Sequence, residues 1–143
     1  MSLQPGQALL IKGFFANGSE CSYPRPFLII ESSASVIRCL NVSSIKGKAA
    51  KLSYPSNKNI SNYNPPFMYP SFVKLDELYE IEQFPELSRL LLCGGKTLDQ
   101  RSLSTIISDF NSYSSANEVL TVSFSKQQLE QRNTLLKGST YQT

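Results

Sequence analysis

Two apolar runs joined by a very short link constrain the fold of this chain most strongly. PFLIIES, at 26–32, is apolar at consecutive positions, which is typical of a strand that is buried on both faces. SVIRCLNV, at 35–42, alternates between two sets of side chains and predicts another strand. Because the Ser-Ser-Ala link between the runs is short, the two strands are predicted to form an antiparallel hairpin.

Three further segments carry strand patterns. QALLIK (7–12) predicts a first strand, and EVLTVSF (118–124) alternates and predicts a late one. SFVKLDELYEIE (71–82) predicts a strand at Phe72-Val73, then a turn at Leu75-Asp76, then a short strand over 78–81. A further short strand is predicted near 52–54, inside a long segment rich in Ser, Asn, Pro and Lys.

The second half of the chain predicts helices. PELSRLLLC (85–93) begins with proline and runs into Gly94-Gly95, which are start and stop signals. TLDQRSLSTIISDFNSY (97–113) has Thr97 and Gln100 at the spacing of a capping box, followed by apolar residues at helical spacing. SKQQLEQRNTLLKG (125–138) repeats the box with Ser125 and Gln128 and closes at Gly138.

Together these segments predict an α+β domain. The 143 residues suggest one domain, 1–143, that is β-rich over 5–82 and helical with one late strand over 83–138. An antiparallel unit of about five or six strands would be followed by two or three helices.

Charge is distributed unevenly along the chain. Residues 1–74 contain eight Lys/Arg and two Asp/Glu, whereas residues 75–143 contain six Lys/Arg and nine Asp/Glu. A basic front half favours a polyanionic partner, because cations neutralise phosphates. An ordinary solvated surface is the alternative explanation.

The composition also excludes several kinds of chemistry. Histidine is absent, so the commonest acid-base residue and metal ligand is missing, and no metal or cofactor is expected. The chain has an odd number of cysteines, and they lack the spacing of metal ligands: Cys21, Cys39 and Cys93. This pattern indicates reduced thiols. We expect no membrane span and no secretory signal, and therefore a cytoplasmic location.

Two short motifs lie at the mouth of the predicted hairpin. Arg25 stands between two prolines that stiffen the chain, and its guanidinium suits a phosphate; a surface ion pair with Glu20 or Glu31 is the alternative. The corner Ser43-Ser44-Ile45-Lys46 offers hydroxyls and an ammonium to a phosphate, although such serines also cap ordinary turns. A hairpin over 26–42 would bring Arg25 and Ser43 together.

The segment after this corner is both basic and aromatic. Lysines there could follow a nucleic-acid backbone, and aromatic rings could stack on unpaired bases. A flexible solvated loop is the alternative. The predicted RNA-binding residues are Lys48, Lys51, Tyr54, Lys58 and Tyr63.

The order of these features resembles a known family. PGQALLIKGFFANGSECSYPRPFLIIES resembles the opening of the MazF/PemK (Kid) toxins, and PSFVKLDELYEI and LNVSSIKGK are similar to their later landmarks. PRPFLII, the Ser-Ser-Ile-Lys corner and TVSFSKQQLEQR resemble the related ToxN/AbiQ endoribonucleases. The chain departs from the pattern at Ser43, where threonine is more usual, and in a longer segment over 53–70.

This resemblance implies a fold and a reaction. The fold would be an SH3-like antiparallel β-barrel with appended helices. The activity would be that of a toxin–antitoxin system: sequence-preferring, metal-independent cleavage of single-stranded RNA to 2′,3′-cyclic phosphate and 5′-OH ends. Arg25, Ser43, Ser44 and Lys46 would be catalytic.

The resemblance also implies partners, and two other functions remain open. A cognate antitoxin, either a protein or a repeat RNA, would cover the groove, and the chain could form a homodimer. The first alternative is a non-catalytic module on the same fold that binds nucleic acid or protein. The second is a structural or phage-encoded interaction protein that uses its helices, 85–138, as a dimer surface.

Overall fold

The computed structural model describes residues 3–13 and 23–136. The strands are β1 (Ala8–Ile11), β2 (Arg25–Ser32), β3 (Val36–Ser44), β4 (Asn57–Asn59), β5 (Ser71–Glu82) and β6 (Leu120–Phe124). The α-helices are α1 (Gln100–Ala116) and α2 (Lys126–Arg132), and 3-10 helices span Ala49–Ser53, Pro85–Leu90 and Leu92–Gly95. Within the described residues, no helix has the length and apolar character needed to cross a membrane.

The strands form one sheet in the order β1-β2-β3-β5-β4, with antiparallel pairing throughout this path. The predicted hairpin is confirmed, because β2 pairs with β3 and Phe27 lies opposite Asn41. The α+β class is confirmed too. The SH3-like barrel is not confirmed, because in the described part of the chain no strand pairing closes β1 onto the far edge of the sheet.

Strand β5 is longer than the sequence predicts. The expected turn at Leu75-Asp76 is wrong, since the strand continues through both residues. Its pairing with β3 moves from Val42–Val73 to Leu40–Leu78, so β5 has surplus residues at this point and bulges. The turn-like pattern in the sequence therefore marks a bulge within one strand.

The outer edge of β5 is shared by two short strands. Antiparallel β4 pairs with its first part, Phe72 to Lys74, and parallel β6 pairs with its second part, Glu77 to Ile81. The late strand is thus confirmed, but it is a parallel strand in a sheet that the sequence predicts to be antiparallel.

Several predicted boundaries change. The expected strand near 52–54 is wrong, because that stretch lies at the end of the 3-10 helix Ala49–Ser53 and the strand forms later, at β4. The segment 85–93 forms 3-10 turns, because Leu91 bridges to Leu9 of β1 and Cys93 adopts a positive φ of 52°. Both features interrupt a continuous α-helix.

Of the two capping boxes predicted from the sequence, one forms and the other does not. The N-cap of α1 is Asp99 and not Thr97, because the Asp99 side chain accepts a hydrogen bond from the N–H of Ser102 at 3.0 Å. The N–H of Leu98 donates to the carbonyl of Gly6, which holds Leu98 outside the helix. The capping box of Ser125 and Gln128 on α2 is confirmed. This helix ends at Arg132, and the predicted closure at Gly138 lies outside the described residues.

The sheet has a core on each face, so both are packed. On one face, called the α2 face, the core includes Leu9, Ile11, Phe27, Ile29, Ile37, Cys39, Tyr79, Ile81, Phe84, Leu87, Phe124 and Leu129. On the other, called the α1 face, it includes Ala8, Leu28, Leu40, Val42, Ile60, Phe67, Val73, Leu75, Leu98, Leu103 and Ile106. The apolar run of β2 is therefore buried on both faces, as its sequence predicts.

Candidate functional site

Arg25 and Ser43 lie at the same end of the β2–β3 hairpin. Phe27 and Asn41 form the last residue pair between β2 and β3 at this end, and Arg25 and Ser43 each lie two positions beyond that pair. Strand alternation puts both residues on the α2 face, together with Phe27. The hairpin therefore brings the two predicted residues to one site.

Of the two carboxylates named as alternative partners of Arg25, the structure describes only Glu31. Glu31 instead binds Arg38 at 2.9 Å, and Glu20 lies outside the described residues. The guanidinium carbon of half-buried Arg25 lies 4.5 Å from the ring centre of Tyr23, which is 53% exposed. Stacking of this kind fixes the plane of the guanidinium, a group whose planar shape suits a carboxylate or phosphate.

Ser43 is held by a lysine from the following turn. Its side chain is buried, and its Oγ accepts a hydrogen bond from Lys48 Nζ at 3.1 Å. The turn that delivers Lys48 closes with its N–H bonding to the carbonyl of Ile45 at 2.7 Å, and Gly47 supplies the required positive φ of 71°. Because the Ser43 oxygen accepts from an ammonium, its hydroxyl proton is left to donate elsewhere.

Lys74 of β5 completes this group. It is half-buried and alternates with Val73 and Leu75 of the α1 face, so it projects from the α2 face, beside its cross-strand partner Asn57. Burial lowers the pKa of the Lys74 ammonium, and the positive charges of Arg25, Lys51 and Lys48 lower it further, while Glu77 acts in the opposite direction.

Arg25, Lys48, Lys51 and Lys74, with the hydroxyl of Ser43, are called the basic cluster below. Cations gathered this closely repel one another, and Lys74 also loses hydration through burial. A bound phosphate would offset both costs and would accept charge-assisted hydrogen bonds from several members. The arrangement therefore suits a polyanion better than a neutral ligand.

Of the other two predicted catalytic residues, Ser44 has a local structural role and Lys46 lies at the same turn. The Oγ of Ser44 accepts the backbone N–H of Lys46 at 3.2 Å, which is the ordinary turn-capping role of a serine. The side chain of Lys46 is exposed at that turn. Neighbouring positions along β3 face opposite sides of the sheet, so Ser44 does not share the face of Ser43.

The predicted RNA-binding residues divide in the same way. Tyr54 is 56% exposed and its N–H bonds to the carbonyl of Lys51, so it lies next to the basic cluster. Lys58 lies opposite Val73 in the ladder and therefore projects from the α1 face. Tyr63 packs against the core of that face, which leaves little of its ring for stacking.

Three residues of this site are not predicted by the sequence patterns: Lys74, Tyr23 and Asn57. A lysine between the apolar residues Val73 and Leu75 is the signal that could have identified the first. No comparable signal marks Tyr23 or Asn57. The position of Asn57 beside Lys74 depends on the register between β4 and β5.

Other reactive groups are less suited to chemistry. Cys39 is fully buried, as predicted for a core thiol, and burial raises its pKa well above the usual range of a thiol. Within 3–13 and 23–136, no three His, Cys, Asp or Glu residues come together as metal ligands.

Fold and site together define an α+β protein with a two-faced open sheet and a basic cluster at one end of it. No protein-family model matches the chain, and a search of curated proteins found no significant match either. The function is therefore argued from the basic cluster.

Removing the charge of Lys74 should stabilise the fold. We expect Lys74→Met to raise the free energy of unfolding by about 1 kcal/mol at pH 7, the scale typical of relieving a functional-site compromise. The folded-state pKa of Lys74 lies below its ordinary value of 10.5, so the unfolded chain binds more protons between those two values. Wild-type stability should accordingly rise with pH in that window.

Urea denaturation at pH 7 and at pH 10 measures both effects. The gain from Lys74→Met should shrink at the higher pH, where the wild-type lysine is losing its charge. Lys58→Met, which changes an exposed lysine of β4 on the α1 face, serves as the matched control. A destabilised Lys74→Met variant would show that the ammonium is favourably paired in the folded protein.

Proposed function

We propose that this protein binds single-stranded RNA at the basic cluster and cleaves it without a metal ion. The 2′-hydroxyl would attack the adjacent phosphate, and the products would carry 2′,3′-cyclic phosphate and 5′-OH ends. Such a reaction needs cationic and hydrogen-bond-donating groups around the phosphorane more than it needs a metal.

The observation that carries this proposal is the convergence of Arg25, Lys48 and Lys74, from separate parts of the chain, on one face of the sheet. Burial is the main cause of the lowered pKa of Lys74, and the charges of Arg25 and Lys48 add to it. Their neighbour Ser43 has its oxygen occupied by Lys48, which leaves the hydroxyl proton to donate. This combination matches the demands of a pentavalent phosphate, whose oxygens carry the developing negative charge.

Roles follow from these positions. Arg25 would clamp the non-bridging oxygens of the scissile phosphate, and Ser43 and Lys48 would donate to the same group. Lys51 would contact a neighbouring phosphate. Exposed Tyr23 and Tyr54, at the border of the basic cluster, would stack on unpaired bases, which favours single strands over duplexes.

Membership of a toxin–antitoxin system is part of the same proposal. The resemblance to MazF/PemK and ToxN/AbiQ proteins supports it, and a cognate antitoxin, either a protein or a repeat RNA, would then cover the basic cluster. A homodimer and a cytoplasmic location also belong to this proposal. Free protein should inhibit growth, and the antitoxin should relieve the inhibition.

A second candidate function is RNA binding without cleavage. The open sheet departs from the barrel that the resemblance implies, and Ser44 caps a turn instead of joining Ser43. Both observations favour a binding module that lacks part of the catalytic group. A protein-binding module is less favoured, because the site is cationic.

The proposal is tested by incubating the purified protein with a long single-stranded RNA in EDTA and mapping the product ends. Discrete cuts that end in cyclic phosphate would support metal-independent cleavage. Intact RNA that shifts on a native gel would support the binding module. Intact RNA without a shift would contradict both functions.

Two lysines on opposite faces provide a matched test of where RNA binds. We expect Lys48→Ala to weaken binding and to lower the salt dependence of log K by about 0.7, the loss of one single-strand phosphate contact. Lys58→Ala should leave the slope unchanged, because this side chain projects from the α1 face. Binding titrations at several salt concentrations measure the slopes. If Lys58→Ala changes the slope more than Lys48→Ala does, the RNA binds on the α1 face.

A further inference from the structure

Lys74 is positioned to do more than bind a phosphate. It extends from the interior of β5, between two buried residues, while Lys48 and Lys51 extend from the connection between β3 and β4. Its backbone is fixed on one side by the ladder to Asn57 of β4. An ammonium on a paired strand is held more firmly than one on a loop, and firm placement is what proton transfer requires.

We infer that Lys74 is a further catalytic residue of the proposed cleavage, and that its ammonium donates a proton to the departing 5′-oxygen. This inference rests on the proposed function. In the step, the 2′-oxygen bonds to phosphorus and gives its proton to solvent water or hydroxide. The bond between phosphorus and the 5′-oxygen breaks, the Lys74 proton moves to that oxygen, and the resulting amine regains a proton from water.

The charged groups around Lys74 support this role. The charges of Arg25 on β2 and of Lys48 and Lys51 in the β3–β4 connection act on Lys74, and the carboxylate of Glu77 on β5 acts in the opposite direction. Burial and these cations lower the pKa of the ammonium, which makes it a stronger acid than an ordinary lysine. The chain has no histidine to perform this transfer.

The other members of the basic cluster are less suited to donate this proton. The guanidinium of Arg25 does not lose a proton in proteins, so it acts as a fixed charge. Lys48 already donates to Ser43, and Lys51 is exposed to solvent. Lys74 is the cation whose burial makes proton release easier.

The test compares two leaving groups. One oligonucleotide has a normal scissile phosphate, and the other has sulfur in place of the bridging 5′-oxygen. A thiolate leaves without being protonated, because a thiol is far more acidic than an alcohol; the cysteine thiol, for example, has a pKa of roughly 8.5. We expect Lys74→Arg, which keeps the charge, to cleave the normal substrate about 100-fold more slowly than wild type, and the sulfur substrate within about threefold of wild type.

Controls separate this inference from the proposed function. Lys74→Met should bind RNA more weakly and should also be rescued by sulfur, and Lys126→Arg should match wild type on both substrates. The inference would be overturned if Lys74→Arg lost equal rate on both substrates, or if it cleaved the normal substrate at the wild-type rate. In either case, cleavage by the wild-type protein would still support the proposed function. Absence of cleavage by the wild-type protein would overturn both.

Discussion

Arg25→Ala is expected to slow RNA cleavage by about 100-fold, the typical effect of removing one donor to a developing oxyanion. The guanidinium lies at the mouth of the hairpin, stacked on Tyr23 and on the same face as Ser43. Its loss removes a planar donor and one of the charges that act on Lys74. Single-turnover cleavage of a defined RNA in EDTA measures the effect.

Arg25→Lys is the matched control for charge. A lysine restores the charge and not the bidentate donor, so we expect it to recover binding more fully than the rate. If Arg25→Lys cleaves RNA at the full wild-type rate, Arg25 contributes only its positive charge. Cleavage by Arg25→Ala within about threefold of wild type would contradict the clamp outright, because even one lost donor typically costs far more.

Tyr79→Ala is expected to lower the free energy of unfolding by about 4 kcal/mol, as large-to-small changes of buried aromatic residues do. The Tyr79 ring is almost fully buried in the α2 face and contacts Phe27 edge-on, with 4.8 Å between ring centres. It also packs near Phe124 of β6, so the cavity would lie on the α2 face beside Phe27 and Phe124.

Tyr79→Phe separates packing from hydrogen bonding. The Tyr79 hydroxyl donates to Glu77 at 2.7 Å, and losing that bond should cost about 1 kcal/mol. Urea denaturation of the three proteins gives both numbers. Similar losses for alanine and phenylalanine would show that the hydroxyl, and not the ring, carries the contribution of Tyr79.

Sequence reasoning succeeds where the signal is local. The β2–β3 hairpin follows from two apolar runs with a short link, and the capping box at Ser125 follows from side-chain chemistry within one turn. The joining of Arg25 and Ser43 at one end of that hairpin follows directly from antiparallel pairing.

The remaining features depend on contacts between distant segments. The bulge of β5 arises from its register with β3, which no local pattern encodes. Asp99 caps α1 in place of Thr97 because Leu98 is held outside the helix by Gly6, a long-range hydrogen bond. Lys74 belongs to the basic cluster because two ladders bring it there, and its own sequence neighbours show only that it alternates with core residues.

The basic cluster is drawn from one continuous stretch, because every one of its members lies between residues 25 and 74. The segment 83–136 supplies the covering helices and the parallel strand, and none of its residues belongs to the cluster. The two parts of the chain therefore have separate tasks. The charges of the basic cluster come from residues 25–74, and the segment 83–136 contributes to the site only through the packing of the sheet.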